Sequence, residues 1–152
     1  MTAPSWIYRA KLVRVVDGDT LDLRVERDVD FGFRMLHQLS AVMRFRVVGI
    51  DTPEKTGPTR ELGRACTAYV ERLLMPGLPL EVESFGEADK YGGRWDADVR
   101  FNLVTDAAGP PARWVSLARH LVTLGYAQPY DGKGSRPSWD PTEPYPLPKA
   151  IP

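Results

Sequence analysis

Cysteine and histidine are nearly missing from this chain: its 152 residues include one cysteine, Cys66, and two histidines, His37 and His120. A lone cysteine excludes a disulfide framework within the chain and any cysteine-based zinc site. Two imidazoles argue against a transition-metal centre. Long apolar runs are lacking too, and none approaches the roughly 20 residues needed to cross a bilayer, so no membrane partner is expected. Charge of one sign is not in excess, with 20 Lys+Arg against 20 Asp+Glu. That balance removes the global electrostatic case for binding a polyanion, and any such site has to be local. The opening residues Met1-Thr2-Ala3-Pro4-Ser5-Trp6 carry neither the basic nor the apolar segment of a secretory signal, and a cytoplasmic location is expected. With 43% hydrophobic residues and balanced charge, disorder does not describe the whole.

What is present reads first as strands. Trp6 to Val16 is apolar and β-branched and stops at Asp17-Gly18-Asp19-Thr20. Leu21 to Glu26 then alternates with period two, and Asp-Gly between two such runs signals a hairpin. Arg27 to Ser40 reads as a long hairpin excursion, and Ala41 to Ile50 as a third strand ended by Asp51-Thr52-Pro53-Glu54. A helix follows, with Pro58 in its first turn, an apolar stripe of Leu62, Ala65, Cys66, Tyr69 and Leu73, and a stop at Met75-Pro76-Gly77. Leu80 to Phe85 and Arg94 to Val104 give two more strands. A second helix carries Trp114, Leu117, Ala118, Leu121 and Leu124, closed by Gly125. Half of the 14 prolines fall from Pro129 onward, so residues 129–152 read as an extended tail on a domain of residues 1–128. Three strands, a helix, two strands and a helix is the layout of a five-stranded OB-type barrel, an α+β fold.

Two strand ends present carboxylates, Asp17 and Asp19 at one, Asp51 and Glu54 at the other. Alone, each is an ordinary turn or strand terminus. Together, carboxylates without cysteine or histidine suit a hard cation such as Ca²⁺ or Mg²⁺. Arg44 reads as a solvated strand residue. Arg46 stands five positions before Asp51, and alternation sets the two on opposite faces unless Asp51 lies beyond the strand end. Asp89-Lys90-Tyr91-Gly92-Gly93-Arg94 adds a cationic, aromatic loop. A cation, two guanidiniums and a spare carboxylate are what phosphodiester hydrolysis needs. The positive groups neutralise charge growing on phosphoryl oxygens, and the carboxylate activates water. Trp95, Trp114 and Phe101 read as core or its edge, His120 as a partly exposed cap partner and Cys66 as a small buried hydrophobe.

In this order, Val15-Val16-Asp17-Gly18-Asp19-Thr20, Arg44 through Glu54 and Asp89 through Arg94 resemble the three signatures of the staphylococcal-type thermonucleases. The likeness runs from about Lys11 to Ala127, and its long excursion between the second and third strands resembles the phage and bacterial members. The resemblance implies an OB-fold and Ca²⁺-dependent cleavage of DNA and RNA, single strands preferred, leaving 3′-phosphates. Mg²⁺ and Mn²⁺ are the lesser alternatives. It implies that Asp19, Asp51 and the Thr52 carbonyl hold the metal, with Asp17 beside it but not a ligand. It makes Glu54 the general base, Arg46 and Arg94 the phosphate-clamping arginines, and Lys90 and Tyr91 contacts to a terminal phosphate. The family loop has one glycine where this chain has Gly92-Gly93. Tyr130 is near, but out of register with, the family's base-stacking tyrosine. A monomer is expected. The competing class is a catalytically silent OB module that binds single-stranded nucleic acid or a protein partner.

Overall fold

Residues 6–87, 93–103 and 113–147 are described in the computed structural model. Strands β1 (Ile7–Asp17) and β2 (Thr20–Asp30) form a hairpin through the two-residue turn Gly18-Asp19. β2 pairs with β3 (Leu36–Val47) from Thr20↔Arg46 out to Asp30↔Leu36. A second two-residue turn, Val48-Gly49, leads into the short strand β4 (Ile50–Asp51). After a 3₁₀ turn at Gly57–Thr59, helix α1 covers Arg60–Leu73. β5 (Leu80–Glu87) pairs with β1 and with β6 (Trp95–Leu103), and β6 returns to β3 in parallel from Phe45↔Trp95 to Val47↔Ala97. That last pairing closes β1, β2, β3, β5 and β6 into a five-stranded barrel with two helices, the expected OB-like α+β arrangement.

Alternation decides which faces turn inward. Leu21 and Leu23 on β2, Phe45 and Val47 on β3, Leu80 and Val82 on β5, and Ala97, Val99 and Phe101 on β6 fill the interior. Val70 of α1 and Leu117 and Leu121 of the second helix join that cluster. Irregular register between Leu12 and Arg14 and again between Val15 and Asp17 bends β1 toward the turn that carries Asp19. Beyond the barrel the β2–β3 pair runs on as an arm, the expected excursion, with Phe33 at its tip 98% exposed.

The second helix is shorter than its sequence pattern suggests. Helix α2 spans Leu117–Leu124, while Arg113–Ser116 forms strand β7 against β6. The Ser116 hydroxyl accepts from the Arg119 N–H at 3.4 Å and fixes the helix start there. Trp114, assigned to the helix stripe and the core edge, is therefore a strand residue and 41% exposed. Ala65 on α1 is exposed rather than part of the buried stripe. Past α2, β8 (Gln128–Pro129) pairs with β4, and the Tyr130 N–H donates to the Gly49 carbonyl at 2.9 Å. From there to residue 147 the tail follows the surface without a helix. No helix among the described residues is long and apolar enough to cross a membrane.

Candidate functional site

Close backbone packing brings the two acidic turns together. At Gly18 a Cβ would collide with the Cys66 sulfur on α1 and lie 3.1 Å from Thr52 Cβ, so only glycine lets the β1–β2 turn sit on the strand end at Thr52. On α1, a Cβ at Gly63 would collide with the Glu54 carbonyl, so the helix lies directly under the Glu54–Lys55 backbone. Asp51 follows β3 by a turn and therefore lies beyond that strand's end, which resolves the alternation conflict with Arg46. Asp51 and Thr52 are 1% and 2% exposed, while the Glu54 side chain is about half exposed.

One cleft of about 590 Å³ is lined by Asp17, Asp19, Arg46, Asp51, Thr52, Glu54 and Arg94, among others. Lys90 and Tyr91 lie outside the described residues. Tyr130 also faces the cleft, its hydroxyl donating to the Gly134 carbonyl at 2.9 Å. Arg44 takes no part: it makes a two-pronged bond to Asp22, Nε to Oδ1 at 2.8 Å and Nη2 to Oδ2 at 3.1 Å. Arg46, one pleat on, keeps its guanidinium clear of any ion pair among the described residues.

The electrostatics reflect the crowding. Burial pushes the Asp19 carboxyl above its ordinary value, the Arg46 guanidinium opposes that, and the neighbouring Asp51 and Asp17 carboxylates add to it. Asp17 is raised as well, first by burial, with Lys55 pulling the other way. The donors that could hold a hard cation are the carboxylates of Asp19 and Asp51 and the Thr52 carbonyl. All are oxygen, as Ca²⁺ and Mg²⁺ require. No three His, Cys, Asp or Glu side chains among the described residues are disposed to hold an ion. A cation here would rest on two carboxylates, neutral oxygens and water.

No family model matches the chain. It is 26% identical over 138 residues to a protein of Escherichia coli named Protein ParB, a match covering 90% of this chain and 67% of that one. These findings correct the assignment to the thermonuclease family, its phage and bacterial members included: nothing among them points to that family. The physical reason is that the motifs are short and serve the barrel itself. Gly18 is demanded by packing on Cys66 and Thr52, and Val48-Gly49 turns β3 into β4.

Two site residues carried no signal in the sequence. Arg136 in the tail reaches Asp51 Oδ1 through Nη2 at 2.7 Å and Nε at 2.8 Å, and Glu54 Oε1 through Nη1 at 2.6 Å. Burial opposes its charge, yet the bonds to Glu54 and Asp51 hold its guanidinium above the ordinary arginine value. Trp139 Nε1 donates to Asp51 Oδ2 at 2.9 Å. A lone Arg in a Pro-rich stretch has no periodicity to announce it.

Tyr69, His120 and Cys66 pack between elements outside the acidic cleft. Tyr69 on α1 and His120 on α2 are joined at 2.7 Å between the Tyr69 hydroxyl and Nε2, tying the helices together where a cap was expected. Burial lowers His120 and lifts the Cys66 thiol to about 11, leaving that sulfur a packed hydrophobe.

Proposed function

We propose that this protein hydrolyses phosphodiester bonds of single-stranded DNA and RNA with the help of Ca²⁺. What supports the reading is a single cleft lined at once by the buried Asp51, the partly buried Asp19, the guanidiniums of Arg46 and Arg94, and the exposed Glu54. Asp19, Asp51 and the Thr52 carbonyl would hold the cation, which supplies charge neutralisation at the phosphoryl oxygens. Arg46 and Arg94 grip the same phosphate with paired N–H donors. The Glu54 carboxylate accepts a proton from water, whose oxygen bonds to phosphorus. The P–O5′ bond breaks, O5′ takes a proton from solvent, and a 3′-phosphate remains. Two carboxylates are a low charge count for a cation site, consistent with binding in the range of about 10⁻⁴–10⁻³ M.

A second reading, a silent module that binds single strands, is favoured by one observation: Asp51 and Glu54 are already held by Arg136. One assay separates them. Denatured DNA is incubated with the protein in millimolar CaCl₂, with and without a chelator, alongside Arg46→Ala and Glu54→Gln. Chelator-sensitive degradation is expected, falling by about 10²–10³ without Arg46 and by about 10²–10⁴ without the Glu54 base. Retardation of the strand with no cleavage under any of these conditions selects the silent module instead.

A further inference from the structure

The proposed chemistry makes no use of the tail, yet the tail occupies both oxygens of the most buried carboxylate in the cleft. Arg136 takes Asp51 Oδ1, and Trp139 takes Oδ2. The same guanidinium bridges to Glu54, so a single positive charge faces two carboxylates. Its backbone is tied down downstream. Gln128 Nε2 donates to the Ser138 carbonyl at 2.9 Å, the Tyr145 hydroxyl donates to the Tyr126 carbonyl at 2.8 Å, and the Leu147 N–H donates to the Gly125 carbonyl at 2.8 Å. Tyr145 stands edge-on between the rings of Tyr126 and Trp139. The Arg136 side chain itself is 49% exposed, with open solvent to move into.

We propose that Arg136 is the resident counter-cation of the acidic cleft and sets its ion selectivity: an incoming cation has to displace this guanidinium from Asp51 and Glu54. The inference rests on the cation-assisted reading above. A monovalent ion gains little, because it brings one charge to a carboxylate pair that already holds one through directed N–H···O bonds. A divalent ion brings two charges and satisfies Asp19 at the same time, relieving the repulsion that the buried carboxylates exert on one another. Trp139 stays on Oδ2 throughout and holds the Asp51 carboxylate in one orientation while Arg136 leaves. No covalent bond changes; the exchange is cation for cation.

Calorimetric titration of the full chain with CaCl₂ tests this, run on the wild type, Arg136→Gln, Arg136→Lys and Asp51→Asn, with thermal melts in chelator. Arg136→Gln is expected to bind Ca²⁺ at least about tenfold more tightly, the least that losing a charge-assisted competitor implies. Arg136→Lys, which keeps the charge but not the two-pronged geometry, should fall between it and the wild type. In chelator the Gln variant should melt lower than the wild type, and CaCl₂ should restore it. Equal or weaker Ca²⁺ binding by both Arg136 variants, in a protein whose wild type binds and whose Asp51→Asn does not, overturns the competitor role and leaves the cation site standing. No Ca²⁺ binding by any form overturns the cation reading, and this inference with it.

Discussion

In the barrel, Leu21, Leu23, Val47 and Val99 are wholly removed from water, and each strand is paired on both sides along the closed part of the sheet. The tail from Tyr130 to residue 147 has no fully buried residue and follows the surface by a few directed bonds, among them Arg136 to Asp51 and Glu54 and Trp139 to Asp51. The two regions thus use different physics. Apolar burial is non-directional and tolerates many sequences of the right pattern, while a tail held by polar contacts depends on particular atoms at particular places. Accordingly the barrel can fold around two repelling carboxylates, and the tail can hold one of them neutralised while remaining able to let go.

The contrast is sharpest where the losses are largest. Phe101→Ala empties the interior of β6 and should cost about 3–5 kcal/mol in a urea titration; a loss below about 1 kcal/mol would mean the barrel is not the source of stability. Trp139→Phe keeps an aromatic ring but removes the indole N–H donor to buried Asp51, and should cost about 1.5–3 kcal/mol in chelator. A neutral result there would break the claim that the tail holds by directed bonds. Smallest is Asp22→Asn, which removes the ion pairs to Arg44 and Arg14 on the barrel surface and should cost about 0–1 kcal/mol at neutral pH. Its signature is in acid. The hydrogen bond from Arg44 holds the Asp22 carboxyl below its ordinary 3.8, so the pair stabilises above that value and loses its contribution as pH falls through the lowered one. The Asn variant should show a shallower loss of stability below about pH 4, and an unchanged acid limb would rule the pair out as a contributor.

Much of the barrel was legible because burial on one face imposes period two on Leu21-Leu23 and Leu80-Val82, and helical spacing on Cys66 and Leu117-Leu121. Trp114 misled because its spacing from Leu117, Leu121 and Leu124 fits a helix, and only the Ser116 cap and the pairing with β6 make it a strand residue. In the cleft, Asp19, Arg46, Asp51, Thr52, Glu54 and Arg94 were recognisable as residues of one kind of chemistry. That they line one space depends on close approaches at Gly18 and Gly63 that no local pattern encodes. The short motifs also suggested a family that the comparisons do not support.

By itself the sequence indicated the five barrel strands, their inward faces, the first helix and which carboxylates and guanidiniums were on offer. Those follow from composition and from periodicities set by backbone geometry. Only the tertiary structure decided that β3 and β6 close the barrel, that the acidic turns meet over Cys66, and that Arg136 arrives from 85 residues away to hold Asp51. The reason is physical: local sequence fixes dihedral preferences and the side of a strand on which a residue falls, whereas which charges share a low-dielectric cleft is settled by how distant segments pack.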